Sequence, residues 1–126
     1  MKKSKIKTIL LTEDDALLID IYSMKLREAG FRVEIAKDGE EVLKKIKEKI
    51  PDLLLLDIVL PGISGWEILE KIRGDQSFKK LKIVILSNLG QKNEVERGLK
   101  LGADKYLIKA HYTPSQIVKE IKEVLK

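Results

Sequence analysis

Four consecutive leucines, Leu53–Leu56, stand between Pro51-Asp52 on one side and Asp57 on the other. A short apolar run bounded by proline and charge is the pattern of a strand buried on both faces of a sheet. Such a strand needs helices above and below it, which restricts the chain to an α/β architecture around a parallel sheet. An aspartate at the carboxyl end of that strand lies where open α/β sheets place their ligands. Core packing asks for no charge there, so Asp57 marks the functional edge of the molecule.

The rest of the chain repeats the pattern. Strand-like runs at Lys7–Thr12, Arg32–Ala36, Asp52–Leu56, Lys82–Ser87 and Lys105–Ile108 alternate with five segments of helical period. Leu17, Ile21 and Met24 mark the first helix, and Val42, Leu43 and Ile46 the second. Ile68, Leu69 and Ile72 mark the third, Val95, Leu99 and Leu101 the fourth, and Ile117, Ile121 and Val124 the fifth. Helix stops are legible at Gly30, Gly74-Asp75 and Gly102. Thr113-Pro114 supplies a capping residue and a first-turn proline for the last helix. Strict alternation with short connections predicts a doubly wound, five-stranded parallel sheet sandwiched between helices in three layers. The expected strand order is 2-1-3-4-5. With 126 residues, no linker and no internal repeat, the expectation is one domain over residues 1–126.

Composition narrows the classes of partner. The absence of cysteine excludes disulfides and thiolate metal sites and fits a reducing cytoplasm. Met1-Lys2-Lys3-Ser4-Lys5 imitates the basic part of a signal peptide, but the apolar stretch after it is short and meets Glu13-Asp14-Asp15. No run approaches the roughly 18 apolar residues of a membrane span. The formal charge of +5 comes from lysines interleaved with glutamates at helical spacing. That pattern reads as solvated helix faces and not as a basic stripe for nucleic acid.

The chemistry gathers at strand ends. The first strand ends in Thr12-Glu13-Asp14-Asp15 and the third in Asp57, and in the expected order these strands are neighbours where the winding reverses. Glu13, Asp14 and Asp57 should therefore converge on one crevice, although Asp14 or Asp15 also suits a helix cap. Two carboxylates about 4 Å apart repel by roughly 4 kcal/mol at an effective dielectric near 20, so the cluster needs a cation or a proton. Oxygen-only donors select a hard ion such as Mg²⁺. Ser87 ends the fourth strand and Lys109 follows the fifth, so both should face the same edge. An anionic nucleophile, a cation, a hydroxyl and an ammonium together suit attack on phosphorus and formation of an aspartyl phosphate.

These residues resemble the receiver domains of two-component response regulators, a chemotaxis-Y-like, flavodoxin-like family. The likeness rests on Glu13-Asp14, on the run Asp57-Ile58-Val59-Leu60-Pro61-Gly62-Ile63-Ser64-Gly65, and on Leu101-Gly102-Ala103-Asp104-Lys105-Tyr106-Leu107-Ile108-Lys109. The resemblance implies a cytoplasmic signalling switch, not a turnover enzyme. Asp57 would take a phosphoryl group from a sensor histidine kinase or phosphotransfer protein. Mg²⁺ would be ligated by Asp14 and Asp57, by the carbonyl of Val59 and, through water, by Glu13. Lys109 would bind a phosphoryl oxygen, the Ser87 hydroxyl would move toward the phosphate, and the Tyr106 ring would turn inward behind it. A downstream target would then read the face of helix four, strand five and helix five, with homodimerisation on helices four and five left open.

Some positions depart from the family pattern. Lys109 is followed by Ala110 where the family usually has a proline after a cis peptide. A cis bond before a non-proline residue costs roughly 2.5–4 kcal/mol, so either the loop carries that strain or Lys109 arrives by another path. Asn88 replaces a small residue, and Val59 and Leu89 flank the site with apolar side chains that should shield an aspartyl phosphate from water. His111 is expected to be exposed and idle, and Trp66 to serve as partner surface or as cover for the core edge. A degenerate receiver acting as a phosphorylation-independent scaffold is the main competing expectation. A phosphohydrolase needs an acid where Val59 stands, and a flavodoxin-type carrier would find Glu13-Asp14-Asp15 repelling its phosphate.

Overall fold

The leucine run forms β3 (Leu53–Leu56) at the centre of the sheet, with every one of its side chains at most 1% exposed. The computed structural model describes residues 5–126, and the basic opening Met1–Ser4 lies outside the described residues. Around β3 stand β1 (Thr8–Thr12), β2 (Arg32–Ala36), β4 (Lys82–Ser87) and β5 (Lys105–Ile108), all parallel, in the order β2-β1-β3-β4-β5. The sequence-expected order is therefore the observed one. Lys7 and Asp52 fall just outside their strands: Asp52 spends its side chain on the amide of Thr8 at 2.7 Å, tying the starts of β3 and β1 together.

Helices α1 (Ala16–Glu28), α2 (Gly39–Glu48), α3 (Gly65–Arg73), α4 (Lys92–Lys100) and α5 (Pro114–Val124) cover the two faces. Period-two alternation of apolar residues in β3 and β4 divides the core. Leu54, Leu56, Ile83 and Ile85 pack with Val42 and Ile46 of α2 and with Ile68, Leu69 and Ile72 of α3. Leu53, Leu55, Val84 and Leu86 pack with Tyr22 and Leu26 of α1 and with Ile117 and Ile121 of α5. Four helices begin on a side-chain cap, from Asp15, Asp38, Ser64 and Thr113, each satisfying an amide that the helix itself leaves without a partner.

Two helices turn differently from expectation. In α1 the inward stripe is Ile19, Tyr22, Ser23 and Leu26, while Leu17 and Met24 are exposed. The helix is apolar on most of its circumference, so periodicity alone does not choose between its two stripes, and the one carrying Tyr22 and Leu26 goes in. In α4 the sole buried residue is Gly98, while Leu99 is 46% exposed and Leu101 is the half-buried C-cap. Among the described residues no helix is long and apolar enough to cross a membrane.

Candidate functional site

Adjacent strands β1 and β3 deliver their last residues to one point. The buried Thr12 hydroxyl accepts a hydrogen bond from the Asp57 amide at 2.7 Å, which fixes the main chain of Asp57. On the far side of Asp57, the amide of Gly65 donates to the carbonyl of Ile58 at 2.8 Å. A Cβ at position 65 would lie 2.5 Å from the carbonyl oxygen of Asp57 and from the Cα of Ile58, so only glycine lets α3 begin this close to the site. Asp57 is thus held from both strand and helix, and one of its oxygens also accepts from the Val59 amide at 3.0 Å.

Glu13, Asp57 and Ser87 are 2%, 5% and 0% exposed. The Lys109 ammonium lies between the two carboxylates, 2.7 Å from Glu13 Oε1 and 2.6 Å from Asp57 Oδ2. Burial works to lower the Lys109 pKa, but hydrogen bonds and charges from Asp57 and Glu13 outweigh it and hold the group above its ordinary range. The second oxygen of Glu13 accepts from the Asp15 amide at 3.2 Å. Asp15 itself caps α1 through the Leu18 amide at 3.0 Å.

The expected convergence is seen in part. Glu13 and Asp57 do meet, but Asp14 is exposed, and among the described residues no three carboxylates stand together as a preformed metal cluster. The cation that the acidic pair requires is Lys109, whose ammonium lies between the two buried carboxylates. Glu13, Asp14 and Asp57 against one ammonium still leave two uncompensated negative charges, and every donor is a hard oxygen. That donor chemistry fits a divalent cation such as Mg²⁺.

Lys109 arrives without a cis peptide; among the described residues there is none. A 3₁₀ turn at Lys109–His111 starts directly after β5, and with Ala110 in the next position the ammonium still reaches both carboxylates. His111, Ala110 and Asn88 are exposed.

On the β4 side, the Ser87 hydroxyl accepts from the Leu89 amide at 3.3 Å, and the Tyr106 hydroxyl donates to the Leu89 carbonyl at 2.5 Å. One residue therefore links the two side chains expected to act as the switch. Burial, with smaller contributions from Glu94 and Asp57, pushes the Tyr106 hydroxyl up to about 12. Val59 stands 61% exposed beside Asp57, and Leu89 is half-buried against the core.

Two contributors, Thr12 and Tyr22, escaped the sequence, and so did one contact of Trp66, whose cover of the core edge was expected. Thr12 reads as an ordinary strand residue, and only its inward register at the end of β1 distinguishes it. Tyr22 is buried on α1, and its hydroxyl is pushed up chiefly by burial, opposed by Lys109 and reinforced by Glu13 and Asp57. Trp66 packs on the core edge and carries the Arg97 guanidinium of α4 at 4.4 Å from its ring centre, a cation–π contact that no spacing announces.

Residues 9–122 match the family model for the response regulator receiver domain, so the chain belongs to that family and is a receiver domain of two-component signalling. It is 35% identical over 118 residues, 94% of this chain and 52% of the relative, to the phosphate regulon transcriptional regulatory protein PhoB of Rhizobium meliloti. It is 34% identical over 122 residues, 95% of this chain and 49% of the relative, to the alkaline phosphatase synthesis transcriptional regulatory protein PhoP of Bacillus subtilis. The chain thus spans about half the length of these curated relatives. Among solved structures, a CheY-like response regulator receiver domain protein from Methanospirillum hungatei superposes with a TM-score of 0.88 at 32% identity, covering 96% of this chain and 94% of that one.

Proposed function

We propose that this receiver domain is switched by phosphorylation of Asp57. A carboxylate oxygen of Asp57 attacks the phosphorus of a phosphohistidine on a sensor kinase or phosphotransfer protein. The phosphorus–nitrogen bond breaks, and the imidazole leaves with the electron pair. The observation that carries this role is the buried Asp57 carboxylate held 2.6 Å from the Lys109 ammonium at the carboxyl edge of the sheet. The ammonium already stands where negative charge develops on a transferring phosphoryl group, so little reorganisation is needed. Mg²⁺, held by Asp14, Asp57 and the Val59 carbonyl with Glu13 acting through water, would neutralise phosphoryl oxygens.

Once phosphorylated, Asp57 presents new acceptors to the Ser87 hydroxyl. Because Ser87 and Tyr106 share Leu89, movement of one disturbs the bond of the other. Differential contacts of this kind shift a two-state population. The responding surface is formed by α4, β5 and α5, where a downstream protein would bind; the domain functions here as a single unit, in the cytoplasm, with no nucleic acid or membrane contact of its own.

Mass spectrometry after incubation with Mg²⁺ and acetyl phosphate tests this. The wild type should gain the mass of one phosphoryl group, labile to base, and Asp57→Ala should not. No gain in the wild type, with a cognate kinase as well, would favour a phosphorylation-independent scaffold. Val59→Asn should shorten the phosphoryl lifetime by admitting water, and an unchanged decay rate would remove shielding from the account.

A further inference from the structure

Gly98 is the one buried residue of α4 and lies in its last turn, two residues before the helix ends. Glycine there is unfavourable to helix formation by comparison with alanine, so its position calls for a physical reason. A Cβ on Gly98 would lie 2.7 Å from Cδ2 and 3.0 Å from Cε2 of the Tyr106 ring, and 2.7 Å from Cδ1 of Ile85. Contacts of 2.7 Å are essentially never seen to a real Cβ, so the ring would have to leave its place to admit one. Its hydroxyl is tied to the Leu89 carbonyl, and it packs against the core beneath the helix. Gly90, just before α4, repeats the arrangement one step along β5, where a Cβ would lie 2.9 Å from Ile108 Cδ1.

We propose that Gly98 is a positioning residue for the switch: the missing side chain admits the Tyr106 ring beneath α4 and thereby couples Asp57 phosphorylation to the helix. The proposal rests on the phosphorylation role given above. With a methyl group at position 98, the ring cannot occupy the place from which its hydroxyl reaches Leu89. The path from Ser87 through Leu89 to Tyr106 is then cut at its last step, while Asp57, Lys109 and Glu13 keep their geometry. Phosphorylation continues, but α4 no longer responds to it.

The single tryptophan supplies the readout, because Arg97 of α4 lies over the Trp66 ring. The wild type and Gly98→Ala are each treated with beryllofluoride or acetyl phosphate in Mg²⁺. Asp57 modification is followed by mass and α4 by Trp66 emission. Modification should be equal in the two proteins, and the emission change should be lost in Gly98→Ala. An emission change of wild-type size in Gly98→Ala would overturn the coupling.

A stability measurement separates positioning from general packing. In an Ile85→Val background, which removes the other close atom, Gly98→Ala should lower the urea midpoint when Tyr106 is present. It should raise the midpoint when Tyr106 is replaced by alanine, since alanine then acts only as the better helix former. Equal destabilisation in both backgrounds would overturn the proposed ring contact. If the wild type acquires no phosphoryl mass, the phosphorylation role fails and the coupling with it, whereas the reversal in urea midpoint still reports whether Gly98 admits the ring.

Discussion

α3 and α4 are nine residues each and lie on the same side of the sheet, yet they are held in different ways. α3 buries Ile68, Leu69 and Ile72 completely and starts from a Ser64 cap against the loop that follows Asp57. No side chain of α4 is fully buried, and Val95 is half-buried. It is retained by the close approach at Gly98, by its own capping box from Gln91 to Glu94, and by Arg97 on Trp66. Each fully buried aliphatic side chain contributes about 1.5–3 kcal/mol, so α3 is fixed by burial that α4 lacks. Elements that move in switching come from the weakly held end of a structure, and α4 has that character while α3 does not.

The sharpest way to break this contrast is to delete the same group from both helices. Leu69→Ala should cost about 2–5 kcal/mol in urea unfolding, because its site cannot collapse. Leu99→Ala, on a half-exposed face, should change stability by no more than about 0.5 kcal/mol. Comparable losses would mean that α4 is as firmly packed as α3. Native-state hydrogen exchange asks the same question without mutation: α4 amides should open at least about tenfold more often than those of α3, a difference of about 1.4 kcal/mol. Arg97→Ala should lower stability by about 0.5–1 kcal/mol and shift Trp66 emission, with the added exchange confined to α4.

The smallest effect is with pH. The Tyr106 pKa of about 12 stands above its ordinary 10.0, chiefly through burial. The folded protein holds this proton more tightly than the unfolded chain does. The stability it contributes is complete below pH 10.0 and fades as pH rises toward about 12. Lys109, also raised, adds a decline in the same alkaline direction. Thermal melts of Tyr106→Phe should therefore fall less steeply through this range than those of the wild type, and parallel curves would exclude Tyr106 as the cause.

The strands were legible because each is a short, largely apolar run closed by a polar or charged residue, and their order follows from strict alternation. Asp57, Ser87 and Lys109 were legible because strand ends project to a known edge. Period counting missed the orientation of α4, since it registers Val95 and Leu99 as apolar and gives no weight to a glycine that admits a ring. It likewise cannot see that Lys109 reaches back 96 positions to Glu13, or that Thr12 anchors Asp57 across 45. Contacts between residues so far apart in the chain leave no local period. The exposure of Asp14 beside the buried Glu13 was hidden for a related reason: adjacency in sequence says nothing about which side chain turns inward.

The Thr12–Asp57 bond gives the site a direction. Asp57 has its main chain pinned to β1, and the turn after it is closed against the first residue of α3. Added bulk or charge on the carboxylate therefore meets an anvil on two sides. The Ser87–Leu89 loop, which has no such tie to Asp57, is the side left to respond. If Asp57 is phosphorylated as proposed, displacement would be directed toward α4 whichever donor delivers the phosphoryl group, so different upstream proteins would produce the same downstream motion.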